Sequence, residues 1–378
     1  MPTLGAIARA WGRIGIVGFG GPPAHIALLR ELVVERRRWM SAGQFEDGNA
    51  AVNLLPGPAS TQLAIYTAWR TRGVAGALVG GLCFVVPGLV LIVVLAALFL
   101  GSPPEWIRGA GAGAGAAVAA VAVHAGLMLL RPAWERVALE VRWRFGAYAL
   151  IGGAAAATLG PWLVAVLLAC GVVEVGWRRM VGSGLSIAPF PALVVAAATG
   201  GTFASLAWVA FKVGALSYGG GFVIIPLMHA DAVERHGWMT DTEFLNAVAL
   251  GQVTPGPVTH TVAVVGYAAA GVPGAALAAV MAFAPSFAFV LFGARRFDRF
   301  VANTDVRGFF DGAGPAAIGA ILGSAIPLAL ALGEAWQAAV LAGAAVCLFV
   351  LRRGVVLTLL AAGAVGAVAV LLGAPLNA

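Results

Sequence analysis

Two cations stand inside apolar stretches of this sequence, Arg13 in "RIGIVGFGG" and Lys212 in "KVGALSYGG". Each precedes a glycine break, Gly20-Gly21 or Gly219-Gly220, by about 9 Å of helix rise. An amide sits three residues ahead of each of two Pro-Gly-Pro triplets: Asn53 before Pro56-Gly57-Pro58, and Gln252 before Pro255-Gly256-Pro257. Ser60, Thr61 and Gln62 follow the first triplet, and Thr259 and His260 follow the second. Fixed positive charge, amide and hydroxyl donors, and unpaired N–H groups at helix starts together make the chemistry of anion binding.

Each residue also has a structural reading. An ionisable group in an apolar segment is a functional candidate, but Arg13 could instead snorkel to the membrane surface. That alternative is weaker for Lys212, which Phe211 and a long apolar run surround. Asn53 and Gln252 either donate to an oxyanion or cap a carbonyl that the proline frees. His25 and His260 either couple protons, as groups titrating near neutral pH, or act as structural hydrogen bonders. No intramembrane Ser-His set, Asp pair, HExxH or P-loop is found, so neither an enzyme nor a cofactor or metal is expected.

The elements that must position these residues are membrane helices. Of 378 residues, 61% are hydrophobic and 10% charged, with a mean hydropathy of +0.95, far from a soluble balance. Runs such as Val74–Leu100, Gly109–Leu130, Gly271–Phe292 and Gly308–Leu332 are long enough to cross about 30 Å of hydrocarbon. They lack the alternation of barrel strands. No removable signal peptide is read at the start. Cys83, Cys170 and Cys347 lie far apart in apolar segments, which suits packed thiols. The net charge of +7 is almost all arginine, Lys212 being the only lysine. These arginines lie in short loops beside apolar spans, which points to topology and anionic lipid headgroups rather than nucleic acid.

The chain repeats itself. "RIGIVGFGGPPAHI" from Arg13 aligns with "KVGALSYGGGFVII" from Lys212, 199 positions on. The same offset pairs Glu35-Arg36 with Glu234-Arg235, Trp39 with Trp238, and the two Pro-Gly-Pro triplets, with no gap. Loop charge then orients the halves. After the first triplet the loops run basic (Arg70, Arg72), nearly neutral, then basic (Arg131, Arg136, Arg142, Arg144). After the second they run uncharged, basic (Arg295, Arg296, Arg299, Arg307), then acidic (Glu334). The pattern predicts an all-α membrane protein of two inverted repeats, 1–176 and 203–378, joined by a linker over 177–202. Inversion needs an odd number of crossings, so each triplet is read as the tip of a re-entrant hairpin, leaving about five spans per half and ten in all.

Irregular backbone at membrane depth is tolerated where it lines a cavity or packs in protein. Paired interruptions in two inverted halves point to a transporter's substrate site. A half-helix starting after each triplet aims its N–H groups at the tip, and Gly20-Gly21, followed by Pro22, can do the same. Glu35-Arg36 and Glu234-Arg235 are read as an interfacial charge network or gate hinge. His124 and Glu174, without counterparts, are read as structural or lipid-facing. The run "GAGAGAGAA" from Gly109 predicts close helix packing by small residues.

At these residues the sequence resembles the chromate ion transporter family, whose halves carry a basic residue, a Phe-Gly-Gly-Pro-x-Ala-His segment, a Trp and a Leu-Pro-Gly-Pro segment. Here these stand as Arg13, "FGGPPAH" at Phe19–His25, Trp39 and "LPGP" at Leu55–Pro58; in the second half as Lys212, "YGGG" at Tyr218–Gly221, Trp238 and "TPGP" at Thr254–Pro257. Arg13 departs from the expected Lys and Asn53 from the expected Gln. The resemblance implies a multi-pass protein of a prokaryotic inner (cytoplasmic) membrane that exports chromate, a tetrahedral dianion. Alternating access driven by membrane potential, with or without proton coupling, is the expected mechanism. A sulfate or other oxyanion carrier and a passive anion channel remain alternatives, and a homodimer is left open.

Overall fold

The computed structural model describes residues 2–53, 57–181, 201–217, 223–293 and 303–376. Among the described residues every regular element is helical. This follows from the composition, because in hydrocarbon a helix satisfies its own backbone where an open strand cannot. The first part of the chain builds α1 (Leu4–Val17), α2 (Gly21–Arg30), α3 (Ala42–Asn53), α4 (Ala59–Phe99), α5 (Glu105–Ala116), α6 (Val118–Arg136), α7 (Arg142–Thr158) and α8 (Leu163–Val181). The second builds α9 (Thr202–Leu216), α10 (Ile224–His229), α11 (Asp241–Val253), α12 (Thr261–Gly293), α13 (Thr304–Leu330), α14 (Ala335–Ala345) and α15 (Val355–Leu371).

Four stretches are long and apolar enough to cross a membrane: Ala59–Phe99, Glu105–Arg136, Val258–Gly293 and Thr304–Leu330. They contain nearly all of the four runs that hydropathy singles out. Thr202–Leu216, Ala335–Val350 and Val355–Leu371 are shorter apolar helices.

Two of the long helices fold back on themselves. In α4 the turn is Arg72 (φ −150°, ψ 31°) and Gly73 (φ 62°, ψ −152°); in α12 it is Ala270 (φ −154°, ψ 28°) and Gly271 (φ 63°, ψ −153°). Only glycine takes the second conformation without strain. The pieces lie side by side: a Cβ on Gly81 would come 2.8 Å from Ile65, and one on Gly266 would come 2.5 Å from the Gly274 carbonyl oxygen. The two turns are 198 positions apart, so the gapless offset of 199 ends between Pro-Gly-Pro and the turn.

The connections before α3 and α11 also match in detail. Glu31–Arg36 and Ala230–Arg235 are both π-helical. Beyond them the Trp39 N–H donates to the Val33 carbonyl at 2.7 Å, and the Trp238 N–H to the Ala232 carbonyl at 2.8 Å. Arg38 (φ 51°) and Gly237 (φ 59°) take the same left-handed turn.

The first and second parts of the chain interlock through small residues. The Gly-Ala run forms α5 and the start of α6, and it packs against α15: a Cβ on Gly109 would sit 2.7 Å from the Gly366 carbonyl oxygen. The close packing expected of that run is what the fold contains. Between α7 and α13, a Cβ on Gly153 would sit 3.1 Å from the Gly319 carbonyl oxygen. The three cysteines are free thiols. His124 lies edge-on to Phe349, centroids 5.7 Å apart. Glu174 is 2% exposed and is structural: Arg178 Nε (2.8 Å) and Tyr148 OH (3.1 Å) donate to it, and Arg144 Nη2 pairs with it at 3.3 Å. Of the two readings offered for Glu174, structural or lipid-facing, the structural one holds. Of the expected linker, 177–181 belongs to α8 and 182–200 lies outside the described residues.

Candidate functional site

The two Pro-Gly-Pro segments meet the two broken first helices in a crossed arrangement. The Gly57 N–H donates to the Ser217 carbonyl at 2.7 Å, and the Gly256 N–H donates to the Gly18 carbonyl at 2.9 Å. Gly57 and Gly256 are 199 positions apart, and so are Gly18 and Ser217, so one contact is the counterpart of the other. Gly57 (φ 122°) and Gly256 (φ 97°) sit in the left-handed region, which lets each tip present its N–H across the boundary between the two parts of the chain.

Behind each tip a half-helix begins. Pro58 precedes α4 in extended conformation, and the Thr61 and Gln62 N–H groups bond its carbonyl at 3.0 Å. The N–H groups of Ala59 and Ser60 have no acceptor within the helix. Ser60, Thr61, Gln62, Thr259 and His260 are all buried. Among the described residues Thr61 Oγ1, Thr259 Oγ1, Ser217 Oγ, Gln252 Nε2 and His25 Nδ1 are buried without a hydrogen-bond partner. A buried polar atom left unpaired is costly and uncommon, and these five lie at or beside the breaks.

Both histidines belong to one crossing. His25 Nε2 bonds the Gly18 carbonyl at 2.9 Å, the same oxygen that accepts from Gly256, and so carries the ring proton. His260 lies edge-on to Phe283, centroids 5.4 Å apart. A Cβ on Gly88 would come 2.8 Å from its ring, so α4 presses its backbone against the second tip. The counterparts of His25 and His260 at the other crossing are Ile224 and Thr61.

The cations part company. Lys212 is 6% exposed and forms an ion pair with Asp231, which is 1% exposed. Arg235 Nη1 stands 3.9 Å from the other carboxylate oxygen. Arg13, expected to share the Lys212 role, is exposed on α1. The residue 199 positions before Asp231 is Leu32, so a buried Arg13 would lack the carboxylate that makes burial of Lys212 tolerable. The amides differ too: Gln252 is buried, whereas Asn53 is exposed and donates to the Asn49 carbonyl at 2.7 Å. Gly20 (φ 97°) caps α2, and Gly21 opens it within 3.9 Å of Val258 by its built Cβ. Pro56, Gly219 and Gly220 lie outside the described residues.

The polar connections are charge networks, as expected. Arg30 pairs with Glu35 and with Glu46 (3.3 Å), and Arg36 pairs with Glu31 at 2.7 Å. His229 pairs with Asp241 at 2.7 Å and Glu234 at 3.5 Å. Asp231 and Ser217 are the site residues that sequence reasoning missed. The signal for Asp231 was its place nineteen residues after Lys212, where one carboxylate follows a long apolar stretch.

Together these features define a multi-pass, all-helical membrane protein whose helices break in its interior beside buried polar groups. The chain belongs to the chromate transporter family, whose model matches residues 5–175 and 204–367. It is 31% identical over 341 residues to a chromate transport protein of Cupriavidus metallidurans, covering 86% of this chain and 83% of that one. It is 29% identical over 338 residues to a probable chromate transport protein of Synechococcus elongatus, covering 86% and 84%. An uncharacterized transporter of Methanocaldococcus jannaschii is 25% identical over 353 residues, covering 80% and 79%. No solved structure matches the chain.

Proposed function

We propose that this protein exports chromate across a prokaryotic inner membrane by alternating access between two inverted repeats. The reciprocal contacts Gly57–Ser217 and Gly256–Gly18 carry this reading, because they place two half-helix starts and their buried hydroxyls where the halves cross. The matching turns at Gly73 and Gly271 and the family match in two stretches support a division near 177–202. A dianion bound by Thr61, Thr259, Gln252, Gln62 and the N-termini behind the tips would draw on Lys212 as the nearby fixed charge. Arg13, at the surface, serves in attraction rather than binding. Moving two negative charges outward down an interior-negative potential is favoured by about 4.6 kcal/mol per 100 mV, so export needs no nucleotide. His25 and His260 are the groups through which protons would couple.

The test is uptake of labelled chromate by inside-out vesicles or proteoliposomes under an imposed potential, with Lys212→Gln and excess sulfate as comparisons. Saturable uptake that Lys212→Gln abolishes and sulfate barely inhibits is the expected result. Equal competition by sulfate makes chromate an incidental cargo, and flux that never saturates makes the protein a channel. No flux of either anion through folded protein overturns the transport reading.

A further inference from the structure

Away from the crossing, a cavity of about 370 Å³ lies between the end of α6, the start of α7, α8 and α13. Arg136, Arg144 and Arg178 line it, facing Glu174 and Asp311. Both carboxylates are already engaged: Arg178 donates to Glu174 (2.8 Å) and to Asp311 (2.7 Å), and Arg144 and Tyr148 take up the rest of Glu174. Donor capacity remains. Arg144 Nε is buried with no partner among the described residues. Arg136, exposed at the rim, bonds only its own helix, at the Pro132 carbonyl (2.9 Å), and pairs with no carboxylate among the described residues.

The rest of the lining is apolar, with Val137, Phe145, Phe310, Pro315 and Ile318. Indole rings ring the site from outside. Trp143 and Trp177 form an exposed edge-on pair at 6.1 Å, Arg144 lies 5.8 Å over Trp177, and Arg142 lies 5.4 Å over Trp134. Tryptophan and arginine at helix ends mark the headgroup level, and loops this basic mark the cytoplasmic leaflet, whose lipids are anionic. A free oxyanion has no use for the apolar wall, whereas an amphiphile uses both parts.

We propose that this cavity holds the phosphate headgroup of an anionic phospholipid, with Arg136 and Arg144 on the phosphate and acyl chain along the Phe145–Ile318 wall. The site rests on membrane placement alone and not on the identity of the transported anion. The shared chemistry, a phosphate oxygen on a guanidinium, would also admit soluble phosphate, so the assay separates the two.

The purified full chain in detergent is titrated with phosphatidylglycerol, with phosphatidylcholine of the same acyl chains, and with inorganic phosphate, while the thermal midpoint is followed. Phosphatidylglycerol raises the midpoint saturably and the other two do not. Arg136→Gln, which removes no contact inside the fold beyond its own helix, weakens the apparent affinity about fivefold. Arg131→Gln, exposed on α6 and outside the cavity, leaves it unchanged. Equal stabilisation by phosphatidylcholine, an unaltered response in Arg136→Gln, or a matching shift from inorganic phosphate alone would each overturn the lipid site.

Discussion

Asp231→Asn is the substitution that most directly probes the interior of this protein. The change is nearly isosteric, so its effect is electrostatic. The wild-type pair is shielded, Lys212 being 6% and Asp231 1% exposed. Removing one partner of a buried pair leaves the other charge uncompensated, which costs about 3–5 kcal/mol. Among the described residues no other carboxylate pairs with Lys212. Arg235, 3.9 Å away, is a like charge for Lys212. His236, stacked on Trp238, is held below the ordinary imidazole range first by burial, against the pull of Asp231 and with Arg235 and Lys212.

Lys212→Gln should lose less, because Arg235 remains beside the carboxylate. The double variant, with two neutral amides, should recover most of the loss. Thermal midpoints and folded yield of the four proteins in detergent form the cycle. The order expected is wild type, double variant, Lys212→Gln, Asp231→Asn. A single Asp231→Asn as stable as wild type, or a double variant worse than both singles, would refute the claim that each charge is buried for the other.

Two further substitutions test the backbone. Gly73→Ala and Gly271→Ala each force a side chain into a conformation that only glycine takes comfortably, so each should lose about 1–3 kcal/mol by thermal midpoint, while Gly5→Ala, open on all sides, should be neutral. Gly88→Ala would drive a Cβ into the Pro255 carbonyl and the His260 ring; transport should fall well below wild type in protein that still purifies as a folded monodisperse peak, and unchanged transport would show that α4 and the second tip are not in contact.

How much was legible depended on which physics each feature obeys. Hydropathy located the four long helices because length and apolarity are local properties of the sequence. The breaks were legible because proline and glycine act through their own backbone. The turns at Gly73 and Gly271 fall where loop charge and composition put the first loop after each triplet, and the antiparallel contacts of Gly81 and Gly266 add that the two pieces pack against each other. Arg13 differs from Lys212 in burial for another reason. Equivalence by sequence offset carries over backbone position, but burial of a charge depends on a partner from another element, and Leu32 stands where Asp231 would be needed. Asn53 and Gln252 diverge in the same way, one reaching back along its own helix and the other packed inside.

The symmetry that the sequence displays is therefore one of backbone, and its failure in side chains carries functional content. On the proposed reading, two identical crossings would present the same chemistry to both faces of the membrane. In this chain Lys212, with its counter-ion Asp231, lies on the helix that ends at the Gly57–Ser217 crossing. The two histidines lie at the Gly256–Gly18 crossing. A fixed charge pair stands beside one crossing, and two imidazoles stand at the other. On the proposed reading, a dianion at the first crossing would compete with Asp231 for the Lys212 ammonium. At the other crossing it would meet two buried imidazoles, His25 and His260. On this reading the unequal crossings would set how readily the anion is taken up at each, while the net direction of transport follows from the membrane potential and the concentration gradient.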